Sequence, residues 1–179
     1  MIRALKRGLK RIARDNRGAS AVEFALIAPF MILLYLGAVE ISLALSIDRK
    51  ITSAASALAD LVAQDDVITD GEMADIMNAG GVIIAPFNTA PLQMRITSVL
   101  MNGSDEVLVQ WSDAVGMAPY AAGGGAPVPT GVLQRNRSVI MVEVQYRYYT
   151  MFSELGVSQF DIDEVFYLRP RQSIVVARG

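Results

Sequence analysis

From residue 24 to residue 39 no side chain is charged, and a strongly basic tail stands directly in front of this run. That pairing constrains the chain more than any other feature. The run belongs to the apolar segment of residues 19–47, ASAVEFALIAPFMILLYLGAVEISLALSI. A membrane-spanning helix needs roughly 20 mostly apolar residues. The segment reaches that length if Glu40 is tolerated near its outer end or Glu23 near its inner end. Pro29 is its one strong helix breaker. In a soluble helix proline costs about 3 kcal/mol or more, whereas in membrane helices neighbouring groups re-satisfy the backbone; the expected effect is a mild kink. Ala21, Ala25 and Ala28 would let a second helix approach closely, although alanine is also simply a good helix former.

Charge sets the orientation. Residues 1–17 hold Arg3, Lys6, Arg7, Lys10, Arg11, Arg14 and Arg17 against the single acid Asp15, a net charge of +6. The remaining residues hold nine basic and seventeen acidic groups, a net charge of −8, and residues 51–94 contain no Lys or Arg. Cationic flanks stay on the cytoplasmic side, so the N-terminus is expected in the cytoplasm and the body outside. A cleaved secretory signal shares the basic start, but this apolar run is long for that role, and the small residues between Ala44 and Ala59 lie in a pattern better explained as helix. A buried helix of a soluble protein does not account for seven basic residues in front.

The chain has no Cys and no His. The usual zinc ligands, the thiol nucleophile and the commonest general acid–base residue are therefore missing. No cofactor is expected.

Tail and helix meet at Arg17-Gly18-Ala19-Ser20-Ala21-Val22-Glu23-Phe24. An ionisable group at the centre of a bilayer costs on the order of 2.5–3.5 kcal/mol, so Glu23 either finds a partner or reaches back to the headgroups and Arg17. The junction resembles the processing site of type IV prepilins, cut after the glycine by a membrane peptidase. That resemblance implies a mature chain starting at Ala19, with Glu23 and the adjacent Phe24 at the assembly position and Glu23 meeting the new amine of a neighbouring subunit. The stretch GASAVEFALIAPFMILLYLGAVE is also similar to the opening of TadE/TadG-like proteins of tight-adherence pilus systems, on Arg17, Gly18, Ala21 to Leu26, Pro29, Gly37 and Glu40. Residues 49–62 and the closing YLRPR of residues 167–171 are similar to the same group. The resemblance implies a non-enzymatic minor pilin or assembly component in the bacterial inner membrane, or carried to the pilus or cell surface. Its partners would be other pilus subunits, assembly proteins and a prepilin peptidase.

Beyond the apolar run, Ile47, Ile51, Ala54, Ala55, Leu58, Leu61 and Val62 recur at helical spacing, so the helix is expected to continue to about residue 64 with one apolar stripe. A shorter helix is expected over residues 71–78, opened by acids that favour the positive end of its dipole and stopped by Gly80-Gly81. The period then changes to two. Leu92, Met94, Ile96, Ser98 and Leu100 alternate, Asn102-Gly103 signals a turn, and Val107, Val109 and Trp111 are expected on one face. Residues 116–129, with three consecutive glycines and Pro127-Val128-Pro129, form a loop. The clearest strand alternates Ile140, Val142, Val144, Tyr146 and Tyr148 with Met141, Glu143, Gln145 and Arg147. Further strands are expected over residues 163–168 and 173–177. Helices followed by strands predict an α+β fold: one long N-terminal helix whose outer half covers a small antiparallel sheet, as in a pilin. The expected division is a leader at 1–18, a span at 19–47 and an extracytoplasmic α+β domain at 48–179.

Other candidate sites are weaker. Asp65, Asp66, Asp70, Glu72 and Asp75 lack the EF-hand spacing, and a helix start explains them better than a cation site. The triple glycine lacks the Gly-Lys-Ser/Thr of a phosphate loop. Tyr146, Tyr148, Tyr149, Phe152, Phe160, Phe166 and Tyr167 suit sheet core and cross-strand pairs, with a subunit contact as the alternative. An acidic body speaks against nucleic-acid binding. Two roles remain open: a processed pilin-like subunit, or a membrane-tethered scaffold or binding module that is never processed.

Overall fold

The computed structural model describes residues 17–151 and 159–179. The sequence features on 1–16 and Phe152 lie outside the described residues. The chain divides into two compact units with their boundary between Leu43 and Ala44. That boundary falls within the first element, helix α1, Arg17–Ala63, which carries Pro29 inside it.

The second unit begins with the last turns of α1. Ile47, Ile51, Ala54, Ala55, Leu58, Ala59 and Val62 are buried in its core, the arc expected from their spacing. Leu61 departs from expectation at 39% exposure. It lies just outside the buried arc, on the side away from Ala59, which is buried in its stead. Strand β1, Val67–Ile68, follows and was not foreseen, because two residues carry no readable period.

Helix α2, Asp70–Ile83, is longer than expected and does not stop at Gly80-Gly81. Thr69 caps it by a capping box, accepting from the Glu72 N–H while the Glu72 carboxylate accepts from the Thr69 N–H at 2.8 Å. Glycine serves packing here. A Cβ on Gly80 would stand 2.5 Å from Met94 Sδ and 3.3 Å from Leu58 Cδ1, so α2 lies close against the sheet and α1, and a larger residue would require the Met94 side chain to shift.

Four antiparallel strands form the main sheet in the order β3-β2-β4-β5. They are β2, Leu92–Met101; β3, Val107–Val115; β4, Arg137–Tyr149; and β5, Gln159–Leu168. One face, built from Leu92, Met94, Ile96, Trp111, Ile140, Val142, Val144, Tyr146, Tyr148 and Ile162, joins the stripe of α1 in one core. Each fully buried aliphatic side chain contributes about 1.5–3 kcal/mol by leaving water. Tyr148 and Phe160 are cross-strand partners with ring centroids 5.2 Å apart.

One expectation about the faces is corrected, and one feature was not foreseen. The register slips between Ser98 and Val99, which pair with Trp111 and Val109 and leave Gln110 as the extra residue of a bulge. A bulge shifts the alternation by one residue, so Trp111 faces the helix while Val109 shares the opposite face with Val99. The opposite face is also not uniformly solvated. Val99, Val139, Met141 and Leu133 form a second buried cluster, roofed by Val107, Tyr120, Ala126, Val128 and Val132. The irregular segment between β3 and β4 supplies much of this roof. It holds no helix or strand, as its glycines and prolines imply, yet it covers the part of the outer face around Val99, Val139 and Met141.

The C-terminal segment forms no fifth strand of the main sheet. Strand β6, Ala177–Arg178, pairs in parallel with β1. Before it, the Arg171 N–H donates to the Ala63 carbonyl at 2.9 Å, and Arg171 forms an ion pair with Asp60.

Candidate functional site

The sequence-derived site residues all lie at the start of α1. Gly18, Ala19, Glu23 and Phe24 are helical and exposed, Phe24 at 73%. A Cβ on Gly18 would meet nothing within 4 Å among the described residues, so no packing seen there requires a glycine. Glu23 follows Ala19 by four residues, which places both on one helix face, and helical side chains lean back toward the N-terminus. The Glu23 carboxylate therefore lies over the turn that contains Ala19. Among the described residues it has no hydrogen-bond or ion-pair partner.

The apolar surface continues without a break. Leu26, Ile27, Phe30, Ile32, Leu33, Leu34 and Tyr35 are all more than half exposed. Soluble monomers rarely expose apolar patches beyond a few hundred Å². Within the helix Gly18–Ala63, the most apolar window has mean hydropathy 2.2 and none of it is buried, so the helix is long and apolar enough to cross a membrane. Pro29 removes one N–H from the ladder without ending the helix. Glu40 interrupts this surface, which resumes at Ile41 and Leu45. It is only 8% exposed, and both carboxylate oxygens lack a hydrogen-bond partner among the described residues.

The body presents two polar arrangements. On the outer face, Arg95 on β2 donates twice to Glu143 on β4, from Nε at 2.7 Å and from Nη2 at 2.7 Å. Arg95 also donates to the Ala118 carbonyl, and its guanidinium lies 3.8 Å from the centroid of the Tyr120 ring. The hydrogen bonds to Glu143 push the Arg95 guanidinium above its ordinary value. This knot ties the inter-strand segment to the sheet. Nothing in the spacing of Arg95, Tyr120 and Glu143 announced it, because strand register alone brings them together. Nearby, Gln93, Gln145, Arg147, Asp161 and Asp163 line an open cleft of about 230 Å³. Arg147 pairs with Asp161 at 2.8 Å and holds that carboxyl below its ordinary range.

The acidic residues at the start of α2 serve the cap and one ion pair. Glu72 caps the helix, and Asp70 accepts from Arg178 at 2.7 Å. Among the described residues no three carboxylates converge as a metal site.

Comparison with known proteins adds one finding. Residues 18–60 match the family model described as TadE-like protein. The match covers α1 almost to its end and stops before the sheet. No curated protein and no solved structure gives a significant match.

Proposed function

We propose that this chain, whose residues 18–60 are a TadE-like sequence, is a non-enzymatic, pilin-like minor subunit or assembly component of a tight-adherence pilus system. A TadE-like segment supports a role in that pilus machinery. The finer assignment rests on one observation: the exposed apolar helix carries Glu23, which has no partner among the described residues, five residues beyond Gly18. In this reading residues 1–18 are a cytoplasmic leader, residues 19–47 cross the inner membrane, and residues 48–179 form an α+β domain outside it. A prepilin peptidase cuts between Gly18 and Ala19. The new ammonium of a neighbouring subunit then neutralises Glu23, while Phe24 packs beside it and register is fixed. Burying a lone carboxylate in lipid is costly, so the charge favours assembled helices over isolated ones.

A membrane-tethered scaffold is the second reading, favoured by the core of the body, in which the sheet is already covered by the chain's own helices. Both readings share the anchor, which has its own test. Membranes carrying the full chain are washed with alkaline carbonate, and closed inner-membrane vesicles are treated with protease. Retention in the membrane with the body protected inside inverted vesicles is expected. Release by carbonate, or digestion of the body in inverted vesicles, contradicts the anchor and its orientation.

A further inference from the structure

The main sheet has two edges, and the chain treats them differently. Against β3 the glycine-rich segment closes the edge: Val109 N–H donates to the Gly124 carbonyl and Gly123 N–H to the Val109 carbonyl, each at 2.8 Å. The bulge at Gln110 twists that strand further. β5 carries no such protection. Its 10 residues run in unbroken register with β4, from Leu168 opposite Ile140 to Gln159 opposite Tyr149, with no proline and no bulge. Among the described residues no backbone pairs with its other side. A long open edge is a template for another strand, and strand addition is a recurrent mode of recognition.

The side chains select the occupant. Asp161, Asp163 and Val165 stand on the outer face of β5, and Phe160, Ile162, Glu164 and Phe166 on the helix side. Asp161 is paired with Arg147. Asp163 lies opposite uncharged Gln145, and neither Asp163 nor Glu164 has an ion-pair partner among the described residues. β5 itself carries no cation. Two copies joined β5 to β5 would set these acids against one another, and like charges across a strand pair are destabilising. Phe160 and Val165 remain 42% and 43% exposed, which leaves apolar area for a neighbour to cover. We propose that the β5 edge receives an extended segment of a different protein, with Lys or Arg on its outer face and apolar β-branched residues on its inner face. This goes beyond the role in the pilus machinery and does not depend on processing at Gly18.

The test uses the full chain in detergent micelles, with amide hydrogen exchange read by NMR. The probe is a synthetic peptide of alternating Lys and Val, compared with its Glu-Val counterpart. Slower exchange at alternate amides of residues 159–168 is expected with the Lys-Val peptide only. Asp163→Lys, with unchanged far-UV circular dichroism, is expected to weaken that binding at least about fivefold, because a favourable cross-strand pair on the outer face becomes an unfavourable one. The same variant is expected to gain affinity for the Glu-Val peptide. Three results would overturn the proposal: no protection in β5, equal protection by both peptides, or protection that rises with protein concentration without peptide, which would make a second copy the occupant.

Discussion

Trp111 Nε1 donates to the carbonyl of Val176 at 2.8 Å, joining the inner face of β3 to a segment 65 residues later. Both residues are buried, Val176 completely. Around them, β6 pairs with β1, and Arg178 reaches Asp113, Asp70 and the Ile68 carbonyl. The C-terminal segment is thereby fastened to the sheet and to the start of α2.

Replacing Trp111 with Phe keeps most of the apolar surface and leaves a buried carbonyl without its donor. A buried acceptor stripped of its partner costs about 1–3 kcal/mol. Trp111→Phe is expected to lower the urea midpoint accordingly, with faster amide exchange in β6 and β1 than in β4. Uniform exchange across all strands would count against the fastening role.

Adjacent glycines of α2 are expected to respond oppositely. A Cβ on Gly81 would make ordinary contact with Thr89 at 3.5 Å, so Gly81→Ala is expected to stabilise by up to about 1 kcal/mol through helix propensity. Gly80→Ala meets Met94 and Leu58. Overpacking of about 1–3 kcal/mol offsets the same gain, and a net loss near 1 kcal/mol is expected. Thermal unfolding of both variants compares the signs directly.

These two glycines show why part of the fold was legible and part was not. A local period reads helix α1, its buried stripe and the alternation of β2 and β4, because those patterns repeat along the chain. Gly80-Gly81 read as a stop because glycine is a poor helix former; the close approach of Met94 and Leu58 is a tertiary fact with no local signature. The same holds for the Gln110 bulge, which turned Trp111 to the helix side, and for Met141, buried by a segment whose composition announced only irregularity. At the candidate site, Gly18, Ala19, Glu23 and Phe24 were named from the junction of tail and apolar run, and the helix places them exposed at its start. The Arg95–Glu143–Tyr120 knot was illegible because it depends on register between strands far apart in sequence.

Acid is expected to weaken the start of α2 first through Glu72. The backbone N–H and hydroxyl of Thr69 hold that carboxyl below its ordinary value. A group whose folded pKa is depressed adds stability above its unfolded value, about 4.3 for Glu, and loses it as pH falls through the lower folded value. Asp105 and Asp161 shift in the same direction, through Arg135 and Arg147. Thr69→Ala removes the cap and is expected to cost about 1 kcal/mol at neutral pH. The variant's deficit should shrink as acid protonates Glu72; urea titrations at a series of pH values check this, and a deficit independent of pH would exclude Glu72 as its source.

Glu23 tests the assembly step apart from the anchor. Glu23→Gln removes the charge and keeps the shape, so membrane retention and processing at Gly18 are expected to persist. Recovery of the chain with sheared pili is expected to fall at least about tenfold, the equivalent of losing roughly 1.4 kcal/mol of pairing. Unchanged recovery would leave Glu23 a solvated charge at the headgroups.

The most direct measurement is the N-terminal residue and intact mass of the protein recovered from membranes, beside a Gly18→Leu variant. A Cβ on Gly18 meets nothing within 4 Å among the described residues, so the variant is expected to fold normally. The account predicts a chain beginning at Ala19, and a variant that keeps residues 1–18. A wild-type chain still beginning at or near Met1 would contradict processing and leave the membrane-tethered scaffold, and a start well beyond Ile47 would contradict the anchor itself.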